Sequence, residues 1–226
     1  MWFIGLDDTD VLDSPGTGRL ARDLAAVLAT DWLIHGVVRH QLLVDPRVPC
    51  TKNNSSAVIL LEGQGDPAAL FAQMQTLMLE RFTPGSDPGL CVATTVPESI
   101  TEFGRRAKRK LIDQQEARAL AAQEGLLLTG LGGTEGGVIG ALAGVGLSAG
   151  GEDGRYVELG RCREMKGRQP VAALLAAGIA AVRTEEGEPV HEGWVMVDKL
   201  RPARRESRPI AVVTWAEDCW QPVKLD

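Results

Sequence analysis

Apolar and polar positions along this chain repeat with two periods. Trp2-Phe3-Ile4-Gly5-Leu6 is a continuous apolar run and predicts a buried first strand. Ser14-Pro15-Gly16-Thr17-Gly18 is turn-forming, and Leu20, Leu24, Val27 and Leu28 then recur at helical spacing between Arg19 and Asp31. Val37 to Val44 and Ser56 to Leu61 read as strands, Pro67 to Phe82 as a helix carrying Leu70, Phe71, Met74, Leu77 and Met78, and Leu90 to Val96 as a further strand. Ser99 to Lys110 and Asp113 to Gln123 read as helical, the second with Asp113 near its N-cap and Gly125 at its stop. Beyond them come a short strand at Leu126 to Leu128, a glycine-crowded loop from Gly130 to Gly137 and an apolar helix from Val138 to Leu147. The tail is β-rich: Tyr156 to Leu159, Ala180 to Arg183, Trp194 to Val197 and Ile210 to Trp215 read as strands, with a short helix from Val171 to Ala177. Pro202, Arg204, Arg205 and Arg208 read as the solvated tip of a basic hairpin. Interleaved strands and helices predict an α/β or α+β chain in two blocks, 1–112 and 113–226, whose boundary is uncertain and which interleave in one alternative.

The first strand ends in Asp7-Asp8-Thr9-Asp10, three carboxylates and a hydroxyl in four positions. Like charges so crowded cost stability unless a cation, a helix N-terminus or backbone N–H groups oppose them. A hard divalent cation such as magnesium fits Asp7, Asp8 and Asp10, and open α/β sheets hold ligands at the carboxyl ends of their strands. The plainer alternative is that one Asp caps the following turn while the others face solvent. Two glycine-rich segments lead into helices: Gly16-Thr17-Gly18, and Gly132-Gly133-Thr134-Glu135-Gly136-Gly137. Neither is a Walker A loop or a complete dinucleotide fingerprint, yet both offer N–H groups to an anion. Flexible connection and tight helix packing account for the second equally well. Between two strands, Thr51-Lys52-Asn53-Asn54 brings Lys52 toward a phosphate and amide groups toward a base or ribose. Carboxylates beside two anion-binding loops point to a nucleoside triphosphate with magnesium on its phosphates.

Composition narrows the field. Apolar residues make up 44% of 226 positions, and the formal net charge of −6 argues against a broad nucleic-acid footprint. Cys50, Cys91, Cys162 and Cys219 show no C-x-x-C spacing, so free thiols, mostly buried, are expected. No apolar run is long enough for a membrane span and no signal segment opens the chain, which makes a cytoplasmic protein the expectation.

The Asp7-Asp8-Thr9-Asp10 motif after Ile4-Gly5, the Val138-Ile139-Gly140-Ala141-Leu142-Ala143 helix start and the polar loop at Lys52 together resemble the archaeal isoleucine-tRNA agmatinylcytidine synthetases. The resemblance implies a kinase-like ATP-binding domain combined with a ferredoxin-like domain, and ATP and Mg2+ as cofactors. It also implies that Thr17, seven residues after the last Asp of the motif, accepts a phosphate or hydrogen-bonds to one. The family's OB-fold and zinc ribbon find no room after about Gly150, so tRNA modification and a nucleic-acid partner are not expected. The reading is an ATP-dependent phosphotransferase activating a small-molecule substrate. Asp7, Asp8, Asp10, Thr17 and Lys52 are its catalytic candidates, and Thr9, Gly16, Gly18, Asn53, Gly132, Gly133, Thr134, Gly136 and Gly137 line its cofactor site. A non-catalytic nucleotide sensor, a nucleic-acid-binding module built on Arg105 to Lys110 and Arg204 to Arg208, and metal-dependent hydrolysis are the alternatives; a homodimer is left open.

Overall fold

The computed structural model describes residues 1–51 and 53–225. Strand β1 (Trp2–Asp7), helix α1 (Thr17–Leu28), strands β2 (Leu33–Gln41) and β3 (Ser55–Glu62), helix α2 (Pro67–Leu79) and strand β4 (Gly89–Ala93) form a β-α-β-β-α-β unit. Its strands lie in the order β4-β1-β3-β2, each antiparallel to its neighbours, which is the ferredoxin-like arrangement. Helices α3 (Glu98–Ala107) and α4 (Gln114–Gln123), strand β5 (Leu127–Gly130) and helix α5 (Val138–Gly150) follow, and β5 extends the sheet antiparallel to β4. The sheet therefore runs on past residue 112. Strand β6 (Arg155–Glu158) pairs with β2 on the far side. Next come β7 (Arg168–Pro170), α6 (Val171–Ala176), β8 (Ala181–Thr184), β9 (Trp194–Met196), β10 (Ala203–Arg205), β11 (Arg208–Ala216) and β12 (Cys219–Pro222). Beyond β6 the order continues β10-β11-β12-β9-β7, with β8 parallel to β11.

Period-two alternation along β1 and β3 divides the core into two layers. Ile4, Leu6, Ile59 and Leu61 face α1 and α2 and pack with Leu24, Leu28, Met74 and Met78. Phe3, Val58 and Leu60 face the other way, toward α5 and α3, and pack with Ala141, Val145 and Phe103. Helix α5 lies unusually close to its neighbours. A Cβ on Gly5 would stand 2.2 Å from the Ala141 carbonyl oxygen, one on Gly104 of α3 2.7 Å from the Ala143 oxygen, and one on Gly146 2.1 Å from the Ile100 oxygen. Backbone meets backbone on both sides of this helix, which only glycine permits.

Several expectations shift for tertiary reasons. Helix α1 buries Thr17, Leu20, Ala21, Leu24, Ala25 and Leu28, whereas Val27 turns outward at 39% exposure, because alanines rather than Val27 complete the inward stripe. Strand β2 begins at Leu33 and ends before Leu42, where the chain leaves the sheet. The short strands β7, β10 and β12 carry too few residues for a period to be read. The basic segment after Pro202 is not all hairpin tip. Only Glu206 and Ser207, both left-handed, make the turn, while Arg204 is 4% exposed. Its guanidinium donates to the carbonyls of Ser148 (2.9 Å) and Ser207 (2.8 Å) and to the Tyr156 hydroxyl (2.9 Å), so the buried charge is held by three hydrogen bonds. Cys91 and Cys219 are buried and Cys50 is exposed, and all four thiols are free.

The close approach at Gly5 sets a clear expectation. Gly5→Ala should destabilise the fold by about 2–3 kcal/mol through overpacking. Gly18→Ala, where an added methyl meets nothing within 4 Å inside α1, should stabilise it by about 0.5–1 kcal/mol. Urea denaturation of the two variants checks both signs.

Candidate active-site cleft

Because its neighbours run antiparallel, the carboxyl end of β1 lies beside the amino ends of β3 and β4 and the carboxyl ends of β2 and β5. The loops leaving those ends enclose a cleft of about 240 Å3. Asp7, Asp8, Asp10, Thr17, Asp87, Thr134, Gly136, Ile139 and Gly140 line its inner part. Leu42, Leu43, Val48, Pro49, Ala107, Leu111 and Ile112 give it an apolar wall, with Arg47, Thr51, Asn53 and Lys110 also lining it. That wall is fastened across the opening by the Leu43 N–H, which donates to the Ala107 carbonyl at 3.1 Å.

The acidic motif is divided by geometry. Asp10 Oδ1 accepts from the Thr17 N–H (2.9 Å) and the Thr17 hydroxyl (2.9 Å), and Oδ2 accepts from the Thr51 hydroxyl (3.1 Å). Gly16, the N-cap of α1, has no side chain to cap with, so Asp10 acts in its place at the positive end of the helix. Buried Thr9 lies beneath, its N–H and hydroxyl reaching Thr17 Oγ1 at 3.3 and 3.1 Å. The Thr9 carbonyl also accepts from the Thr83 N–H at 3.0 Å, which ties down the loop that carries Asp87.

Asp7 and Asp8 are held differently. Asp8 takes a left-handed backbone (φ 52°), which Asp tolerates better than most side chains and which re-aims the chain after the strand. The Asp7 carboxylate rests on the first turn of α5, where a Cβ on Gly140 would stand 1.8 Å from Asp7 Oδ2. Burial, then repulsion from Asp8 and Asp10, pushes the Asp7 carboxyl up to about 8, although the Asp8 N–H bonded to it pulls the other way. Burial, then Asp87 and Asp10, pushes Asp8 up to about 6. Among the described residues no three His, Cys, Asp or Glu side chains converge to hold an ion by themselves.

The second glycine loop is organised by Asp87. Its carboxylate accepts from the Thr134 N–H and its carbonyl from the Gly137 N–H at 2.8 Å. Gly133, left-handed at φ 57°, lets the chain pass against that carboxylate. Gly132 packs toward Phe82 and Pro88, and the Gly137 backbone lies against Asp7 and Gly89. Of the residues expected here, Thr134 and Gly136 line the cleft, whereas Gly132, Gly133 and Gly137 shape it from behind. Gly16 and Gly18 line an adjoining hollow of about 250 Å3, which shares Asp10, Thr17, Thr51, Asn53 and Ser55 with the cleft. Lys52 lies outside the described residues. Asp87 and Gly140 were not anticipated as site residues. The only local signal for Asp87 is the turn sequence Pro84-Gly85-Ser86-Asp87-Pro88 ahead of a strand.

A second buried cluster has the order of a hydrolase triad without its access. Ser148 Oγ lies 2.7 Å from His40 Nε2, and His40 Nδ1 lies 2.9 Å from Asp153, which also pairs with Lys108. Ser148 and His40 are 0% exposed, so no substrate reaches the hydroxyl. Burial holds the His40 imidazole below its ordinary value despite Asp153, and the neutral ring serves as an internal tie.

No protein-family model and no curated protein matches the chain. The fold is nonetheless one found in tRNA-directed enzymes, as the resemblance in the acidic motif implies. Apo TiaS, a tRNA agmatidine synthetase, is 22% identical with a TM-score of 0.54, the match covering 64% of this chain and 35% of that one. The complex of TiaS with its tRNA and ATP gives 22% identity and a TM-score of 0.55 over 64% and 36%. A tRNA fluorescent labeling enzyme gives 21% and 0.56 over 64% and 35%. This chain therefore matches about a third of the length of those proteins, and the likeness is one of fold. One of them was solved with tRNA, so the comparison lends no support to the expectation that nucleic acid plays no part. Among the described residues no helix is long and apolar enough to cross a membrane.

The Asp7 carboxyl binds its proton more tightly in the folded chain, at about 8, than at its ordinary value of 3.8. Its contribution to stability is therefore full below pH 4 and is lost as pH rises through 8. In chelator, Asp7→Asn should be more stable than wild type at pH 8, by on the order of 5 kcal/mol, and the difference should vanish toward pH 4. Thermal melts of the pair across that range test the sign.

Proposed function

We propose that the chain binds Mg-ATP in the cleft at the end of β1 and transfers a phosphoryl group to a small-molecule acceptor. The observation that carries this reading is the crowding of Asp7, Asp8 and Asp87 in a cleft that also has an apolar wall, beside the first turn of α5. Carboxylates driven toward neutrality by burial and by one another call for a hard cation, and the oxygen donors of Asp7 and Asp8 suit magnesium. Fewer than three protein ligands are needed, since magnesium keeps waters and takes phosphate oxygens. When bound, the ion would draw phosphate oxygens together and offset their charge.

The chain's own groups divide the remaining work. Thr134, Gly136 and the positive end of α5 face the phosphates. The apolar wall of Leu42, Val48, Leu111 and Ile112 excludes water and accepts a flat base, with Asn53 at its edge. Lys52 and Lys110 supply positive charge as the phosphoryl group moves. The Thr17 hydroxyl either turns its one proton from Asp10 to a phosphoryl oxygen or keeps it on Asp10, which is placed to take that proton should Thr17 accept phosphate. A second reading, with an RNA nucleotide as acceptor, is favoured by the fold shared with a tRNA and ATP complex.

Isothermal titration with a non-hydrolysable ATP analogue, with and without magnesium, tests the reading. Magnesium-dependent binding in wild type should fall at least about 100-fold in Asp8→Asn, about 3 kcal/mol, while melting shows the variant folded. Absence of binding in wild type would sink the nucleotide reading. Labelled-phosphate transfer in the presence of RNA then separates the two acceptor classes.

A further inference from the structure

The hollow that adjoins the cleft at the start of α1 is lined unlike the cleft itself. Of its described lining residues only Val11 has an apolar side chain; hydroxyl, amide, carboxylate and guanidinium groups and two glycines supply the rest. The two spaces meet along one wall, because Asp10, Thr17, Thr51, Asn53 and Ser55 line both. Pairing of Leu6 with Ala57 brings the start of β3, and Ser55 with it, level with the acidic motif. A molecule in the hollow therefore touches the same groups that face the cleft.

Several polar groups on this wall have hydrogen-bonding capacity left over. Ser55 Oγ accepts from Arg39 Nε at 2.9 Å, so its own proton remains to be donated. The Asn53 carboxamide has no partner among the described residues and offers both donors and an acceptor. Asp10 Oδ2 takes a single bond, at 3.1 Å from the hydroxyl of exposed Thr51, where a carboxylate oxygen has lone pairs for two. Gly18 stands in the first turn of α1, where an N–H has no intrahelical acceptor, and a Cβ there or on Gly16 would meet nothing within 4 Å. The backbone is thus open to a ligand. Donors and acceptors alternate round the hollow, and the matching molecule must both give and take hydrogen bonds at several points. An anion does not fit: the positive end of α1 already faces the Asp10 carboxylate, which takes the Thr17 N–H at 2.9 Å, and Asp13 adds a second carboxylate to the lining. An amine does not fit either, since an ammonium group has nothing with which to accept the Ser55 and Asn53 protons. Hydroxyl groups do both.

We propose that the hollow binds a neutral polyhydroxylated small molecule, a sugar or sugar alcohol, and that one of its hydroxyls is the phosphoryl acceptor; the acceptor role rests on the Mg-ATP reading of the cleft. The acceptor hydroxyl donates to Asp10 Oδ2, the oxygen opposite the one that holds Thr17. In the transfer its oxygen bonds to the γ-phosphorus and its proton passes to Asp10 Oδ2. The bond from the γ-phosphorus to the bridging oxygen breaks, and its electron pair leaves on ADP. Ser55 and Asn53 hold the neighbouring hydroxyls and so select which one reaches the phosphorus.

Saturation-transfer NMR of the full chain with D-ribose and with myo-inositol, in chelator and without nucleotide, tests the hollow by itself. Wild type should bind one or both, and Ser55→Ala and Asn53→Ala should each bind about 5-fold more weakly. Asp8→Asn should bind as wild type does, since Asp8 lines the cleft and not the hollow. Melting temperatures confirm folding, and the exposed Asn53 gives a variant that does not disturb Arg39. No binding of either polyol, or equal binding in both variants, would overturn the site. Inorganic phosphate or 1,4-diaminobutane that binds more tightly than the polyols, and is weakened in Ser55→Ala, would overturn the neutral assignment. Labelled γ-phosphate should then pass from ATP to the bound polyol, and Asn53→Ala should raise the KM for the polyol more than it lowers kcat. Binding of both the polyol and an ATP analogue without transfer would overturn the acceptor role. Failure of the analogue alone to bind would instead sink the nucleotide reading and the acceptor role with it, and leave the polyol site standing.

Discussion

The contact on which this structure depends is the backbone-to-backbone approach of α5 to β1 on one side and to α3 on the other. Gly5, Gly104 and Gly146 stand where any Cβ would collide with a carbonyl oxygen, so the helix sits deeper on the sheet than side chains normally allow. Its depth fixes the height of its first turn. Gly140 then admits the Asp7 carboxylate against the helix, and Gly137 lies against the backbones of Asp7 and Gly89. An apolar helix packed for stability thus sets the geometry of a polar site at its end.

The electrostatics of the cleft follow from that placement. Asp10 is held by the start of α1 and by two threonine hydroxyls, which satisfy both of its oxygens. Asp7 and Asp8 are instead desolvated and repelled, which raises their affinity for protons and, by the same field, for cations. Asp87 comes from a different loop and does two jobs, adding to the negative field at Asp8 while tying the glycine loop in front of α5. One site therefore holds both the electrostatic cost and the means of relieving it, a usual sign of function rather than of stability alone.

The tail of the chain is joined to this core by buried polar contacts as well as by the sheet. Asp153 pairs with Lys108, which directly follows α3 and precedes Lys110 and Leu111 of the cleft wall, while His40 connects Asp153 to Ser148 of α5. Arg204 fastens β10 to the carbonyl of the same Ser148. These contacts anchor the β-rich tail to the C-terminal ends of α3 and α5. Buried hydrogen-bonded networks of this kind tolerate little displacement, because moving one member leaves another unsatisfied.

Much of the architecture was legible from local pattern. The continuous apolar run before Asp7, the helical stripe of α1 and the glycine-rich approach to α5 depend on neighbours a few residues away, so they declare themselves in sequence. The acidic motif stood out for the same reason, since four adjacent residues carry its anomaly. What only the tertiary structure decided is which distant groups meet. Asp87 and Gly140 enter the cleft because β4 and α5 both flank β1; Val27 turns outward because Ala21 and Ala25 complete the stripe; Arg204 is buried because a short strand carries it under α5. Periodicity reports a residue's own burial, whereas a site depends on contacts between elements, and those are fixed only when the whole sheet has closed.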